Sequence, residues 1–494
     1  MQRSLIIVIL LILSNTYLLA KSYNPESFYL KDDLSKSDIA EERLGGNFIL
    51  DIINDPNSDP LVDSVIYVAT GDGFSKGFNT FGDIEDIQWM NSIVGYGGSS
   101  AIAIDKYNNI WMTTATDSFI TKDDLNKFLA TGTGVHMSVD SGRTWDHFPQ
   151  PGITPVQGLT YDIACDTLGG VWMACFGQSL QKLDSIGENW RTLTCDDKEW
   201  NPGLNSNMNQ RMFSVHHTDS GNIWVGTAEG VNLCEDYSKP DSLLQWEHYT
   251  YRDGISGDFV TSINSNTFSD GKEYVWLSSW LAEDNNEING VSFTSNDGQS
   301  WKTCLLDEKV YNVGFNGDDV YACGESGLWK SSDIGNYWEK YDISVYSEVR
   351  NDYVNISKVY SFEYQNGKMF IGTGSGLVIS DDEGVNWYIV EAYEDSDDSS
   401  NKTYAYPNPF SPERFIEQKL QFKLDKAETI SCKIYNFAME KVRDVALSKG
   451  FDAGECYLSW DGKDNSGNEI ANGVYFYIIT YGDKKLWNKI IIFD

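Results

Sequence analysis

Two tryptophans lie in long polar loops where a ligand could reach them. Trp200 falls in the segment 195–209, which is rich in Asn, Asp and Glu, and Trp280 opens the similar segment 280–289. An indole ring stacks on the apolar face of a sugar, while neighbouring amides and carboxylates hydrogen bond to the hydroxyl groups. The two loops predict a carbohydrate-binding surface, and the alternative is that each Trp only covers its own loop.

Four further residues are candidates for the same binding surface. Tyr251 and Arg252 stand between the two loops and would complete the surface, and Arg211 and Arg350 lie in or beside other loops. No catalytic residue can be named from the sequence. The chain holds 73 Asp and Glu residues, too many for one carboxylate pair with separated pKa values to stand out.

The sequence predicts no metal site and no cofactor. The segment 461–468 carries several oxygen-bearing side chains, but it lacks the alternating ligands and the final bidentate Glu of a calcium loop. A tight β-turn with Gly462 and Gly467 at positive φ is favoured instead. His216 and His217 are neighbours on a predicted strand, so their side chains point to opposite faces.

Composition and charge indicate the fold class and exclude several partners. Of the 494 residues, 14% are aromatic and 43 are Gly, which favours an all-β chain of many short strands. The formal net charge is −36, from 37 Lys and Arg against 73 Asp and Glu. A surface this negative repels phosphate groups, which excludes general nucleic-acid binding and argues against docking on anionic membranes.

The first twenty residues have the pattern of a secretory signal peptide. A short basic start at Arg3 is followed by the apolar run Leu5–Leu13 and by Ala20 at a plausible cleavage position. No later stretch of about 20 apolar residues could span a bilayer as a helix. We therefore expect residues 1–20 to be a signal peptide, and the protein to be secreted or displayed on the cell surface without a transmembrane segment.

A short strand motif recurs seven times and predicts the architecture. Each copy has an aliphatic residue, an aromatic residue and then small residues, as in Ile223-Trp-Val-Gly-Thr227, with a mean step of 50.5 residues between copies. The aromatic positions of the seven copies are 67, 111, 172, 224, 276, 321 and 370. Repeats of this length, each with about four short strands, predict a seven-bladed β-propeller at residues 45–393, preceded by a lead-in at residues 21–44.

A turn motif, Ser/Thr-x-Asp-x-Gly-x-x-Trp, recurs late in four repeats. The copies are Ser138–Trp145, Ser331–Trp338, Ser380–Trp387 and Thr294–Trp301, where Asn replaces Asp. We expect the Asp or Asn side chain to accept backbone N–H groups, the Gly to be left-handed and the Trp to fold over the turn. The motif resembles the Asp-box (BNR) turn of sialidase-like β-propellers, in which the turn is structural.

Repeats four and five carry a second resemblance. Gly221–Val231 and Tyr251–Ile255 are similar to the repeats of two-component-regulator propellers, a family of extracytoplasmic ligand sensors. The resemblance covers about two repeats. It implies a role in ligand binding outside the cytoplasm.

The residues after the repeats predict a separate small domain. Residues 394–403 are acidic and Ser-rich and are predicted to be a linker, and about six strand-like runs in residues 404–494 predict an Ig-like β-sandwich. Tyr406-Pro-Asn-Pro-Phe410, the Trp460–Asn468 turn, Asn472–Tyr477 and Lys489–Phe493 resemble the sorting domain of type IX secretion cargo. The same segments are similar to the Ig-like domain of flagellar hook-capping proteins. The sorting resemblance implies the type IX secretion machinery as a partner.

Two functions remain open from the sequence. The favoured one is an extracellular binding or structural module for a glycan or protein ligand, and the alternative is a divergent glycoside hydrolase. The sialidase resemblance implies three arginines on a substrate carboxylate and a Tyr/Glu nucleophile pair with an Asp acid. The segment Gly46–Leu50 lacks the Arg expected at the start of that family's propeller, and Arg143 lies within a turn motif.

Overall fold

The computed structural model describes most of the chain as two compact units. The described residues are 26–28, 44–56, 64–71, 73–92, 97–122, 125–151, 158–196, 207–282, 284–347, 352–392, 403–406, 408–412, 417–424, 426–437, 439–451, 454–482 and 484–493. The first unit holds the described residues up to Thr116, with Ala130–Tyr346 and Val354–Ala392; the second holds Asp117–Leu129, Ser347–Tyr353 and the described residues from Thr403 onward. The predicted signal peptide and residues 394–402 of the predicted linker lie outside the described residues.

The repeat motif forms the second strand of each sheet in the first unit. In the copy Ile223–Thr227 every residue is buried, because both faces of the strand are covered. The aromatic residues of the motif are also buried in all seven copies: Tyr67, Trp111, Trp172, Trp224, Trp276, Tyr321 and Phe370. These rings account for the recurrence of an aromatic at one position of the repeat.

Seven antiparallel sheets of consecutive strands form the first unit, apart from the residues Asp117–Leu129 of sheet 2, and the short strand β1 (Glu26–Phe28) precedes them. Sheets 1 to 3 contain β2 (Ile49–Asn54), β3 (Val65–Thr70), β4 (Gly73–Phe78) and β5 (Gln88–Ser92); β6 (Gly98–Ile104), β7 (Ile110–Lys122), β8 (Leu125–Ser138) and β9 (Trp145–Phe148); and β10 (Thr160–Cys165), β11 (Val171–Cys175), β12 (Ser179–Leu183) and β13 (Arg191–Leu193). Sheets 4 and 5 contain β14 (Met212–His217), β15 (Ile223–Thr227), β16 (Gly230–Cys234) and β17 (Glu247–Tyr249); and β18 (Phe259–Thr267), β19 (Glu273–Trp280), β20 (Gly290–Thr294) and β21 (Lys302–Cys304).

The last two sheets are separated in sequence by a two-stranded hairpin. Sheet 6 contains β22 (Val310–Asn316), β23 (Asp319–Gly324), β24 (Gly327–Ser331) and β25 (Glu339–Lys340); the hairpin is β26 (Ile343–Ser347) and β27 (Asp352–Ile356); and sheet 7 contains β28 (Ser361–Gln365), β29 (Lys368–Gly372), β30 (Leu377–Ser380) and β31 (Tyr388–Val390). Short 3₁₀ turns occur at Ile84–Asp86, Met208–Gln210, Asp241–Leu243 and Tyr251–Asp253.

The seven sheets close into a ring. The first strand of each sheet contacts the first strand of the next, and β28 of sheet 7 returns to β2 of sheet 1. Each apolar core cluster of this unit accordingly lies between two neighbouring sheets. This closed radial arrangement is that of a β-propeller. The segment β1, in the predicted lead-in, adds a fifth strand to sheet 2 by pairing with β9.

The four predicted turn motifs lie between the third and fourth strands of their sheets. In the copy at Ser138–Trp145, the Asp140 Oδ1 accepts the Thr144 N–H at 2.8 Å, and the Ser138 hydroxyl accepts the Gly142 N–H at 2.8 Å. The Trp145 Nε1–H donates to the Gly142 carbonyl at 3.1 Å. The Asp and Gly roles expected from the sequence are therefore present, and the Ser hydroxyl has a role that the sequence analysis did not foresee.

A second turn recurs between the first and second strands and supports the buried tryptophans. Asp105 Oδ2 accepts the Nε1–H of Trp111 at 3.0 Å, and Asp166 Oδ2 accepts that of Trp172 at 2.7 Å. In sheet 4 the equivalent of the Asp is Thr218. Within the described residues the Trp224 Nε1–H is buried without a hydrogen-bond partner.

The described residues of the second unit from Thr403 onward form two sheets. One has the strand order β32-β33-β36 and the other β35-β34-β37-β38. Their bounds are β32 (Thr403–Tyr406), β33 (Gln418–Leu424), β34 (Glu428–Asn436), β35 (Lys441–Phe451), β36 (Gly454–Trp460), β37 (Gly473–Tyr481) and β38 (Lys484–Ile492). One apolar core made of residues from 405 to 492 fills the space between these strands.

The predicted turn at residues 461–468 is present in the second unit. Asp464 Oδ1 accepts the N–H groups of Ser466 and Asn468 at 2.8 and 2.9 Å. Gly462 and Gly467 have φ values of 73° and 84°, which confirms the positive φ expected for both. No helix in the described part of the chain is long and apolar enough to cross a membrane.

The Asp and Thr forms of the turn between the first and second strands predict opposite changes in stability on exchange. Asp166→Thr should lower the free energy of unfolding by roughly 1–3 kcal/mol, because it leaves the buried Trp172 N–H without an acceptor. Thr218→Asp should raise it by about 1 kcal/mol by giving Trp224 the acceptor that it lacks. Urea unfolding of both variants measures the two changes. A stability loss in Thr218→Asp would contradict this assignment of the turn.

Candidate functional site

One end of the ring collects two kinds of loop from every sheet. Because the strands of each sheet are antiparallel, the connection into the first strand and the loop between the second and third strands lie at the same end. We call this end the entry face. Trp280 at the end of β19 belongs to it, as do the loop that contains Tyr251 and Arg252 and the loop that ends at Arg211.

The first strands carry a β-bulge close to the entry face. The pairing register between first and second strands shifts by one residue near the start of the first strand in sheets 1 to 6. The extra residue is Leu50, Ser100, Tyr161, Phe213, Thr261 or Tyr311. A bulge turns the side chain of the extra residue away from the normal alternation. In three of the six sheets this side chain is aromatic.

These and neighbouring rings form two series of contacting aromatic side chains on the entry face, which we call together the aromatic arc. In order along the ring of sheets its members are Tyr161, Phe176, Phe213, Phe259, Trp280, Tyr311, Tyr360 and Phe48. Tyr161 and Phe48 are 42% and 41% exposed, and the other six are half-buried. The arc therefore presents apolar ring surface to solvent.

Contacts between rings run from sheet to sheet. Phe213 lies 5.5 Å from Tyr161 and 5.8 Å from Phe259, measured between ring centroids. Tyr311 lies 5.5 Å from Trp280 and 5.0 Å from Tyr360. The two halves meet in sheet 5, where Phe259 and Trp280 are directly paired residues of β18 and β19. The arc thus extends around the ring from sheet 3 through sheets 4, 5, 6 and 7 to sheet 1.

Charged side chains border the arc. The Arg211 guanidinium lies 5.3 Å from the Phe176 ring, and the Lys309 ammonium lies 4.0 Å from the Trp280 ring. Tyr311 donates its hydroxyl to Glu325, which also pairs with Lys358. Apolar ring faces and charged hydrogen-bonding groups therefore alternate along this border.

Tyr251 and Arg252 form a small polar group beside the arc. The Tyr251 hydroxyl donates to Asp284 at 2.6 Å, and the Arg252 Nε–H donates to the same hydroxyl at 3.1 Å. Asp284 belongs to the loop that follows Trp280, and Glu287 of that loop accepts backbone N–H groups from Asp258 and Asp284. These bonds hold the two loops together on the entry face.

Only some of the predicted site residues lie in the described part of the chain. Trp280 is a member of the aromatic arc, with its Nε1–H donated to the Val310 carbonyl at 2.5 Å, and Arg211 stacks on the arc. Trp200 and Arg350 lie outside the described residues.

Sequence reasoning missed the other seven members of the arc. The available signal was an aromatic residue at or next to the start of a first strand, as at Tyr161, Phe213 and Tyr311. In sequence such residues look like ordinary members of an alternating strand. Their common orientation depends on the bulge, which becomes visible only in the pairing register.

Three buried carboxyl groups lie on the first strands deeper in the ring. They are Asp51 of sheet 1, Asp162 of sheet 3 and Glu363 of sheet 7. Burial raises the pKa of Asp51 to about 6, and burial followed by the charge of Asp51 raises the pKa of Asp162 to about 7 and that of Glu363 to about 8. The pKa values of all three groups therefore lie well above the ordinary range of a carboxyl group.

These buried groups hydrogen bond between neighbouring sheets. Asp51 Oδ2 accepts the Ile102 N–H of sheet 2 at 2.9 Å, and Asp162 Oδ2 accepts the Val215 N–H of sheet 4 at 3.0 Å. Asn54 of sheet 1 donates to Glu363 of sheet 7 at 2.8 Å. Their geometry is structural, since each one joins two innermost strands.

The described residues contain no group of three or more His, Cys, Asp and Glu side chains able to hold a metal ion. His216 and His217 separate as the alternation predicts. The His216 ring bonds to the Ser265 hydroxyl and the His217 ring bonds to the Tyr237 hydroxyl.

No protein-family model and no curated protein matches this sequence. The structure is similar to the GH74 xyloglucanase of Xanthomonas campestris (12% identity, 94% of this chain, 75% of that chain, TM-score 0.53) and to the GH74 enzyme of Niastella koreensis (14%, 91%, 73%, 0.51). It is also similar to PorZ, a surface component of the type IX secretion system of Porphyromonas gingivalis (14%, 87%, TM-score 0.40). This chain spans 64% of the PorZ chain. At these identities the similarity shows the β-propeller fold alone.

The buried carboxyl groups generate a pH prediction. The pKa of Glu363 is about 8 in the folded chain and near 4.5 in its ordinary state, so the folded state keeps a proton that the unfolded state loses between these values. The stability that this proton contributes is full below the lower pKa and is lost as the pH rises through the folded pKa. Glu363→Gln should therefore gain stability relative to the wild type as the pH rises from about 5 to about 8. Urea unfolding across this range measures the gain, and parallel curves for the two proteins would contradict it.

Proposed function

We propose that this chain is an extracellular binding protein whose aromatic arc binds carbohydrate. In this proposal the seven sheets are the blades of a single seven-bladed propeller of the Asp-box type, and the second unit is an Ig-like sorting domain. The single observation that carries the binding function is the aromatic arc. Eight rings, bordered by Arg211, Lys309 and Glu325, follow one end of the ring of sheets.

The chemistry of the arc suits a sugar chain. Pyranose rings have an apolar face of C–H groups that stacks on aromatic rings, and their hydroxyls need donors and acceptors close to that face. The arc offers several ring faces in succession, with guanidinium, ammonium and carboxylate groups alongside. A site of this kind favours an extended oligosaccharide over a single sugar.

The binding proposal predicts the effect of removing single rings. Tyr161→Ala and Trp280→Ala should each weaken binding of a glycan by about fivefold, on the order of 1 kcal/mol, because each removes one stacking surface. A glycan array identifies the ligand, with xyloglucan oligosaccharides as the first probe because two of the similar structures are GH74 enzymes, one of them a xyloglucanase. Titration calorimetry then gives the dissociation constants. Trp200→Ala tests the remaining predicted tryptophan in the same way.

A matched control lies at the opposite end of the ring. Tyr337 is 70% exposed and belongs to the turn between β24 and β25, away from the entry face. Tyr337→Ala removes a similar exposed ring and should leave glycan binding unchanged. An array without any hit for the wild type, or equal losses in Tyr337→Ala and Tyr161→Ala, would contradict the carbohydrate proposal.

The alternative function, a divergent glycoside hydrolase, has one specific observation in its favour. Burial, together with the nearby charge of Glu287, raises the pKa of Asp258 to about 6, a range suited to a general acid. Asp258 also accepts the Tyr251 N–H at 2.7 Å, and its own N–H donates to Glu287. These bonds favour a role in holding the loops. Release of reducing ends from a glycan that binds, abolished in Asp258→Asn, would favour the hydrolase.

The export proposal concerns the second unit and the location of the protein. Its apolar core is built from residues 405–492 alone. This favours a domain that folds independently of the propeller and directs its export. The signal-peptide pattern at residues 1–20 and the sorting resemblance support secretion through the type IX machinery to the cell surface or medium.

The export proposal is tested by transplanting the domain. Fusing residues 404–494 to a reporter with a signal peptide should carry the reporter out of a type IX-competent cell, and the reporter with the signal peptide alone should stay in the periplasm. Deleting residues 404–494 should keep the propeller in the periplasm. Surface display of the truncated chain would contradict the sorting assignment and favour the hook-capping resemblance.

A further inference from the structure

The second unit presents an apolar and basic outer face that the proposed function does not use. This outer face consists of the outward side chains of β34, β37 and β38. Alternate residues of the same strands, such as Ile434, Tyr477 and Ile490, point inward and are buried in the core. The outward residues are therefore the other alternate residues of each strand.

Three aromatic side chains cross the outer face from strand to strand. Phe437, directly after β34, lies 6.3 Å from Phe476 of β37, and Phe476 lies 6.2 Å from Trp487 of β38, measured between ring centroids. Phe437 is 76% exposed and Trp487 is 47% exposed. Met439, also exposed, follows in the tip of the hairpin between β34 and β35. A soluble domain gains nothing by presenting these side chains to water.

Lysines accompany these rings. Lys489 is directly paired with Phe476, Lys485 with Thr480, and Lys433 of β34 with Ile478. The outward positions of β37 and β38 hold Val, Phe, Ile, Thr, Lys and Trp and no acidic residue. Asp444 of β35 is directly paired with Lys433 and forms an ion pair with Lys441, and Glu440 accepts a hydrogen bond from Asn436.

The charge of the chain is strongly segregated. Residues 404–494 contain 12 Lys and Arg against 13 Asp and Glu, whereas the preceding residues contain 25 against 60. The composition argument against anionic membranes therefore applies to the propeller and not to the second unit. An anionic surface would repel the former and attract the lysines of the outer face.

We infer that the outer face of β34, β37 and β38 docks on an anionic lipid surface. Exposed Phe, Trp and Met side chains enter the boundary between headgroups and acyl chains, and the lysines beside them pair with lipid phosphates. The observation that selects a lipid surface over a discrete ligand is the spread of rings and lysines over three neighbouring strands of one sheet.

Co-sedimentation with vesicles tests the inference on the full-length protein. The probes are vesicles of phosphatidylcholine alone and of phosphatidylcholine with about one third phosphatidylglycerol. We expect binding to the anionic vesicles that weakens with added salt and is absent for the neutral ones. Lys485→Gln and Lys489→Gln should each reduce the partition coefficient about fivefold, and Trp487→Ala and Phe437→Ser should reduce it by a similar factor.

The matched control is Lys426→Gln, which removes the same charge from a lysine that is 80% exposed in the connection between β33 and β34. It should change the partition coefficient less than twofold. Equal binding to both vesicle types, or an equal loss in Lys426→Gln and Lys489→Gln, would overturn the inference. Two other results would also overturn the inference, because the outer face would then have another occupant. One is a dimer in solution that Trp487→Ala dissociates. The other is binding to soluble alginate, and not to vesicles, that the same variants weaken.

Discussion

The contact between neighbouring innermost strands is the constraint on which the ring depends. Successive first strands face each other without a backbone ladder, so side chains must join them. Among the described residues, a side chain of one innermost strand hydrogen bonds to the next sheet at six of the seven junctions: Asp51 to Ile102, Ser100 to Thr160, Asp162 to Val215, Ser214 to Val260, Asn264 to Asn312 and Asn54 to Glu363. Without these bonds the buried polar groups would be left unpaired.

The use of carboxylates for this purpose has a cost. A buried carboxyl resists ionisation, and the pKa values of Asp51, Asp162 and Glu363 rise accordingly. Asp51 and Asp162 each recover part of the cost by accepting two backbone N–H groups, one from the following residue and one from the neighbouring sheet. The ring closure and the protonation of the chain are thus coupled through the same three side chains.

The bulges connect ring closure to the candidate site. In sheets 1, 3, 4, 5 and 6 the bulge residue comes directly before a residue that bonds to a neighbouring sheet: Leu50 before Asp51, Tyr161 before Asp162, Phe213 before Ser214, Thr261 before Ser262 and Tyr311 before Asn312. The β-bulge therefore points a polar side chain towards the neighbouring sheet, and it turns the side chain of the bulge residue in a different direction. The aromatic arc follows from this local geometry repeated around a closed ring. The second unit differs from the ring, because it has its own apolar core and a nearly balanced charge.

Much of the fold could be predicted from the sequence because it rests on local patterns. The period of about 50 residues, the buried aromatic of each second strand and the Asp-Gly-Trp turns all involve residues close together in the chain, and the structure contains them where the sequence placed them. Trp280 was identified by its polar loop, but its neighbours Tyr311 and Tyr360 were not. Their grouping depends on pairing register, which a bulge shifts by one residue, and on contacts between strands about 50 positions apart. Tertiary structure alone decides these, because a one-residue shift reverses the direction of a strand side chain without altering the sequence pattern.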